Sequence, residues 1–377
     1  MRIVIAPDSF KSACSAVLVA RAMARGCQAA FPDAQILELP LADGGEGTQD
    51  ALLAATHGCA VPLALLDAHL RPFKSSFGVL GDKKTAVLEL ARVCGLPLLA
   101  EAEKDPLETS TFGFGIMMRE ALRKGYQRFL VGLGGSSTND GGLGFLTALG
   151  ALFFDERGNA VEPRGKNLQK VAVADFTELD PILKHVSITV LSDVDNPLLG
   201  TRGATRVYGL QKGATQDAIE QLEAGMENFS EIVEKALDGT WSKMPGAGAA
   251  GGMGFALLAL GARLTSGAKY LADVVALRET IQTADVVLTG EGQSDAQTAY
   301  GKLPGLVGAI AAECGVPAFL LSGSLGAGYE VLYDRFAGIR SIQQRPLSLE
   351  DCLPHTAAFL EAAAFDIIHA HHHAVKR

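Results

Sequence analysis

Apolar positions along the first forty residues follow two periods. Arg2–Ala6 (R-I-V-I-A) is a short β-rich run, Ser15 to Phe31 spaces its apolar residues as a helix does, and Gln35 to Leu39 is β-rich again. Strand, helix, strand predicts the start of a parallel sheet, in which ligands gather beyond the carboxyl ends of the strands. The last third repeats this texture, with apolar runs at Ala284–Thr289 and Val316–Leu321 and a helical stretch ending near Cys314 between them. The middle differs. Val61–Leu66, Lys74–Leu80 and Thr85–Leu90 are short runs broken at Arg71-Pro72 and Gly81-Asp82, which predicts an antiparallel meander and a new domain from about residue 67. Helices follow to Lys124, from Leu143 to Leu152 and from about Thr215 to Leu237, with strands at Phe129–Val131 and Ser187–Leu191. The expected architecture is α/β with two domains. Residues 1–66 plus 282–377 form an outer parallel domain, residues 67–281 an inserted mixed α/β domain, and the active site lies in the cleft between them.

Composition narrows the class. The chain has 377 residues, 48% of them hydrophobic, and a net charge of −9, which argues against a general binder of nucleic acid or of a membrane surface. Six cysteines at 14, 27, 59, 94, 314 and 352 form no CxxC or zinc pattern, and Arg2 and Asp8 bracket an apolar run too short for a leader. Reduced thiols and a cytoplasmic location are expected. The longest uncharged stretch, Pro245 to Ala262, is too broken by glycine to span a bilayer.

Candidate chemistry sits where the strands end. Val131–Gly144 reads V-G-L-G-G-S-S-T-N-D-G-G-L-G, five glycines in eleven residues followed by a helical pattern. Backbone N–H groups of Gly134, Gly135, Ser136 and Ser137 are expected to cradle an anion, with Asn139 and Asp140 adding side-chain oxygens. Asp8, Ser9 and Lys11 close the first strand, and Asp43, Gly44, Gly45 and Glu46 close the second, each group serving either as a helix cap or as a site. Asp193 and Asp195 end another strand as a candidate magnesium pair, with an Asx turn before Pro197 as the alternative. Lys212 stands between glycines as a candidate anion contact, and Glu291, Asp295 and Lys302 share a glycine-flanked turn. A formal GxGxxG at 246–251 follows Lys243-Met244-Pro245 instead of a buried strand, which weakens a dinucleotide reading. Glu89 has no assigned role, and His369 with His371–His373 reads as a solvated helix end.

Seven segments together resemble the glycerate kinase type 1 family: A-P-D-S-F-K (6–11), A-D-G-G-E-G-T (42–48), G-G-S-S-T-N-D-G-G (134–142), D-N-P-L (195–198), Q-K-G-A-T (211–215), P-G-A-G-A-A-G-G (245–252) and T-G-E-G…D-A-Q-T…G-K (289–302). Two departures stand out: Ser12-Ala13-Cys14 where the family commonly has Gly-Ser-Leu, and Gln293-Ser294 in place of a frequent Arg-Ile. The resemblance implies a Rossmann- or flavodoxin-like parallel domain with an inserted one, and transfer of a phosphoryl group from ATP with Mg²⁺ to D-glycerate, giving 2-phosphoglycerate. Within that mechanism Asp43 or Asp140 is expected to orient the acceptor hydroxyl or take its proton. Asp193 or Asp195 is expected on Mg²⁺, then Glu291 or Asp295. Lys11, Lys212 and Lys302 join the Gly134–Ser137 backbone on phosphate, and Lys11 or Arg71 meets the substrate carboxylate. The remaining substrate contacts are expected from Asp8, Ser9, Gly44, Gly45, Glu46 and Asn139, in a monomer or homodimer. Alternatives are 3-phosphoglycerate as product, a sugar or homoserine-type kinase, an NAD oxidoreductase and a non-catalytic metabolite-sensing module.

Overall fold

A computed structural model describes residues 1–300 and 302–375, so Gly301 of the expected Gly-Lys pair lies outside the described residues. Thirteen strands form among them: β1 (Arg2–Ile5), β2 (Gln35–Glu38), β3 (Cys59–Leu66), β4 (Pro72–Val79), β5 (Thr85–Glu89), β6 (Arg128–Gly132), β7 (Leu152–Phe154), β8 (Val173–Asp175), β9 (Ser187–Leu191), β10 (Arg263–Thr265), β11 (Val286–Ser294), β12 (Ala318–Leu325) and β13 (Gly338–Ser341). The chain divides into two compact units, one of residues 1–43, 50–56 and 268–377 and one of residues 44–49 and 57–267.

The first unit is a five-stranded sheet in the order β13-β12-β11-β1-β2, parallel throughout. Both ends of the chain build it, as the two stretches of buried-strand texture predict. Helix Ala16–Ala30, capped by the Ser15 hydroxyl, packs its Val19, Met23 and Cys27 face against Leu360, Ala364 and Ile368 of helix Thr356–Val375. Gly26 lets the two helices close, because a Cβ there would collide with the carbonyl oxygen of Glu361. β11 runs five residues past its expected end. Its continuation from Gly290 to Ser294 pairs with Leu321–Leu325 of β12, carrying Glu291 and Gln293 within the sheet.

The second unit is a six-stranded sheet in the order β10-β9-β6-β5-β4-β3. β3, β4 and β5 pair antiparallel as expected, but β5 also pairs parallel with β6, so the meander is one flank of a mixed sheet. The expected division near residue 67 falls in the hairpin between β3 and β4, whose eight residue pairs tie β3 to the second unit. At the other end the first unit resumes at Ala268, taking helix Gly267–Val274 beyond its first residue and helix Leu277–Ile281, ahead of the expected limit at 282. The helix expected over Leu143–Leu152 stops at Ala148. Gly150 takes φ +109°, and Leu152 opens β7, which pairs antiparallel with β8. Helix Gln216–Leu237 matches its expected span and is capped by Thr215, whose hydroxyl accepts from the Ala218 N–H at 3.2 Å. A chain of rings fills the core beside the sheet: Phe153 lies 5.5 Å from Phe229, and Phe229 lies 6.3 Å from Phe255, centroid to centroid. No helix among the described residues is long and apolar enough to cross a membrane.

Candidate active site

The first unit gathers the expected residues of its strand ends around one opening. The Asp8 N–H bonds the Gly290 carbonyl at 2.9 Å and the Leu41 N–H bonds the Pro7 carbonyl at 3.0 Å, so the loops after β1 and β2 stay in register with β11. A cavity of about 570 Å³ opens there, lined by Asp8, Ser9, Lys11, Asp43, Glu291, Gln293, Lys302 and Ser324, with an apolar flank from residues 342–359. Burial, the charge of Asp43 and that of Glu291 push the Asp8 carboxyl up to about 7, against the pull of the Ser9 N–H and Lys11. Glu291 is also raised by burial. Hydroxyls of Ser294 (2.9 Å) and Thr298 (2.7 Å) and the Lys302 ammonium at 3.9 Å oppose that shift. Ser294 thus gives Glu291 a hydrogen bond that the isoleucine common in the resembling family cannot. Asp295, expected on metal, accepts from the Gln297 N–H at 2.9 Å and lies 3.4 Å from Lys302.

In the second unit the glycine-rich stretch is mostly buried. Only Gly134 and Gly135 of residues 132–142 reach the surface appreciably. The Gly134 N–H is taken by the Gly44 carbonyl at 3.1 Å and the Ser137 N–H by the Cys94 carbonyl at 2.7 Å, so two of the four amides expected to cradle an anion bond the protein's own backbone. Lys212, expected as an open anion contact, is 2% exposed and donates to Ser136 Oγ at 3.0 Å and to the Thr138 carbonyl at 2.6 Å. Desolvation lowers its ammonium to about 7, and Asp140 acts in the opposite sense. Asp140 is itself fully buried and accepts four hydrogen bonds: from Thr111 N–H and Oγ1 at 2.8 Å each, and from the Gly142 and Gly144 amides at 3.2 Å each. Its carboxyl is raised by burial against those four donors, and it serves the loop's shape. Asn139 donates to Thr205 Oγ1 at 2.9 Å, while its own Oδ1 and the Thr138 hydroxyl find no partner among the described residues.

Other expected residues lie apart from these two places. Arg71 is held by Asp67 at 2.7 Å and Glu103 at 2.6 Å, so its charge is already answered by two carboxylates. Asp193 and Asp195 are exposed beyond β9, with Asp195 3.1 Å from Arg202. Glu46 is exposed, and Gly44 takes φ +97° against the Leu191 backbone. Among the described residues no three His, Cys, Asp or Glu side chains converge to cage a metal. The formal GxGxxG has no strand before it. Ala250, Gly251 and Gly252 all adopt positive φ, and a Cβ on Gly251 would strike the Thr138 carbonyl, so this turn braces the glycine-rich loop.

Two groups escaped the sequence reading. Glu89, 1% exposed at the end of β5, accepts from the Gly47 and Gln49 amides at 3.0 and 2.9 Å, capping helix Thr48–Thr56. An isolated glutamate closing a β-rich run was the available signal. The apolar flank at 342–359 had none, since its leucines follow no period.

Residues 3–372 match the model of a family described as the glycerate kinase family. A glycerate kinase of Bacillus subtilis (strain 168) is 41% identical over 369 residues, 97% of each chain. A glycerate 2-kinase of Escherichia coli (strain K12) is 43% identical over 326 residues, 86% of each. A crystal structure from Salmonella typhimurium LT2, assigned as glycerate kinase 2, gives a TM-score of 0.85 at 38% identity and covers 100% of both chains.

Proposed function

The chain belongs to the glycerate kinase family, and from that premise we propose that it transfers the γ-phosphoryl group of MgATP to the 2-hydroxyl of D-glycerate, giving 2-phosphoglycerate and ADP. It is a phosphotransferase with an alcohol acceptor, which sets aside the oxidoreductase and metabolite-sensing alternatives. The E. coli relative's designation as a 2-kinase favours the 2-hydroxyl as acceptor.

The observation that carries the chemistry is the Asp8–Asp43 pair beside Lys11. A carboxyl held near neutrality by burial and a neighbouring charge suits proton transfer at ordinary pH. The pair takes the proton of the acceptor hydroxyl as its oxygen bonds the γ-phosphorus, and the bond to the β-phosphate oxygen breaks. Lys11, exposed at the same rim, meets the acceptor carboxylate. Arg71 is less suited, being already paired twice.

Mg²⁺ neutralises phosphate oxygens when bound, and an ion carried by ATP needs only one or two protein carboxylates. Asp193, exposed at a strand's carboxyl end, has the right donor chemistry and is the proposed contact. For the glycine-rich loop, the anion-binding role narrows to the Gly135 and Ser136 amides.

The direct test is ADP release with D-glycerate, tartronate and homoserine as acceptors, followed by NMR of the product. D-glycerate should be the preferred acceptor and phosphorus should couple to the C2 proton. Absence of D-glycerate-dependent release would overturn the activity, and coupling to the C3 protons would move the acceptor to the other hydroxyl.

A further inference from the structure

We propose that the 570 Å³ cavity of the first unit also takes the nucleotide, with the purine base against Leu347, Leu349, Leu353 and Phe359 and the phosphates directed toward Lys302, leaving Lys11 and the Asp8–Asp43 pair to the acceptor. The proposal rests on the kinase reading above and adds which surface takes the phosphoryl donor.

Size is the first argument. The cavity falls inside the range of about 300–1,000 Å³ typical of sites for ligands the size of a nucleotide, whereas a three-carbon hydroxy acid would leave most of it to water. Its two-sided lining is the second. Charged groups from the carboxyl ends of β1 and β11 stand on one side, and leucines with a phenyl ring stand on the other. A hydroxy acid has no group for the apolar side. A purine has a broad, weakly hydrated face that packs on leucine and stacks on an aromatic ring.

Exposure supplies the third argument. Leu349 is 76% exposed and Leu347, Leu353 and Phe359 are only half-buried, an apolar wall turned to solvent of the kind ligands cover. On the charged side, Lys302, 3.4 Å from Asp295 and 3.9 Å from Glu291, is the N-cap residue of helix Leu303–Glu313, and its own side chain makes no cap hydrogen bond. The helix's first amides and dipole therefore add to the lysine's attraction for an anion.

Cys352 also lines the cavity, half-buried and outside any disulfide, so a bound base would shield its thiol. In the full-length protein, the rate of iodoacetamide labelling at Cys352 can be followed by peptide mass spectrometry, with exposed Cys59 as internal reference. MgATP and ADP should each slow Cys352 by at least ~5-fold at saturation and leave Cys59 unchanged, while D-glycerate alone should slow neither. Protection by D-glycerate but not by nucleotide would give the apolar side of the cavity to the acceptor and overturn the proposal. So would the absence of protection at ATP concentrations that saturate ADP release. Protection by ATP in a protein that releases no ADP with D-glycerate would sink the acceptor assignment and support the nucleotide site. Leu349→Asp, at a solvent-exposed position, provides a second measurement should Cys352 prove unreactive. It should weaken calorimetric ATP binding and raise the ATP KM about tenfold, with the D-glycerate KM within about twofold. An unchanged ATP affinity overturns the proposal.

Discussion

A Cβ placed on Gly134 would lie 2.5 Å from the Gly45 Cα, and one on Gly251 would strike the Thr138 carbonyl; one on Gly292, in the first unit, would find its nearest neighbour at 3.6 Å. The carboxylates of the two units differ in the same way. Asp140 spends its lone pairs on four donors of its own loop, whereas Asp8, also raised by burial, faces the cavity next to Asp43. In the second unit, glycine and buried charge answer to protein backbone. In the first, Gly292 and the Asp8–Asp43 pair leave room for a ligand at the cavity, while a Cβ on Gly290 or Gly323 beside them would strike the Leu321 or Gly292 carbonyl. Glycine density therefore reports close approach without saying by what, and the hydrogen bonds of the neighbouring polar groups tell the two cases apart.

If that contrast is right, the largest effect belongs to Asp140→Ala. Four donors would be stranded in a buried loop, and stability should fall by at least ~3 kcal/mol, read from the denaturant midpoint. A loss below ~1 kcal/mol would mean that the loop keeps its shape without the carboxylate. Asp43→Asn should act oppositely, on rate more than on folding. We expect kcat to drop at least ~100-fold, about 2.7 kcal/mol in barrier, with ATP binding retained. Near-normal turnover would remove Asp43 from proton transfer.

Much of the architecture was legible because period and length are local. The strand-helix-strand opening, the antiparallel hairpins and the helix from Gln216 to Leu237 are written in hydrophobic spacing and end residues such as Ser15 and Thr215. The placement of the first unit's motif residues was legible in large part, since Asp8, Lys11, Asp43 and Lys302 follow strand ends and the parallel order brings those ends to one edge, although Glu291 lies within β11. What escaped was partnership. Whether Lys212 faces a ligand or Thr138, and whether Asp140 faces a hydroxyl or Thr111, depends on contacts between residues 29 to 76 positions apart, which no spacing records. The grouping of β3 was hidden for a similar reason: its residues look like a domain's last strand until their pairing with β4 is known.

Lys212 sharpens the comparison through pH. Its ammonium is lowered to about 7 in the folded chain and returns to about 10.4 on unfolding. Between those values the unfolded chain binds more protons, so this group makes stability rise with pH, by up to ~1.4 kcal/mol per unit, and its contribution is lost as pH falls to 7. Buried thiols of Cys27 and Cys94, both raised, work in the other direction at alkaline pH, so the cleanest window is about pH 7 to 8.5. Lys212→Met keeps the stem and removes the titration. The wild-type slope minus that of the variant should be positive, and equal slopes would show that the amine is not desolvated as its hydrogen bonds to Ser136 and Thr138 imply.

The smallest effect tests why the sequence departs from its family at residue 12. Ser12 adopts φ +65°, a conformation that glycine takes freely and that costs an L-residue with a Cβ about 1–2 kcal/mol. The side chain is exposed, so Ser12→Gly gives up no buried contact. Setting the relieved strain against glycine's extra unfolded-state entropy, ~0.5–1 kcal/mol, leaves a net gain of up to ~1.5 kcal/mol. Lys83, at φ +56° in the turn between β4 and β5, is the matched position of the second unit, and Lys83→Gly should gain a similar amount. Both gains would be read as shifts of the thermal midpoint. A gain at 83 with a loss at 12 would mean that the Ser12 hydroxyl holds the turn after Lys11 in place, and the glycine common at this position would then answer to the ligand instead of the backbone.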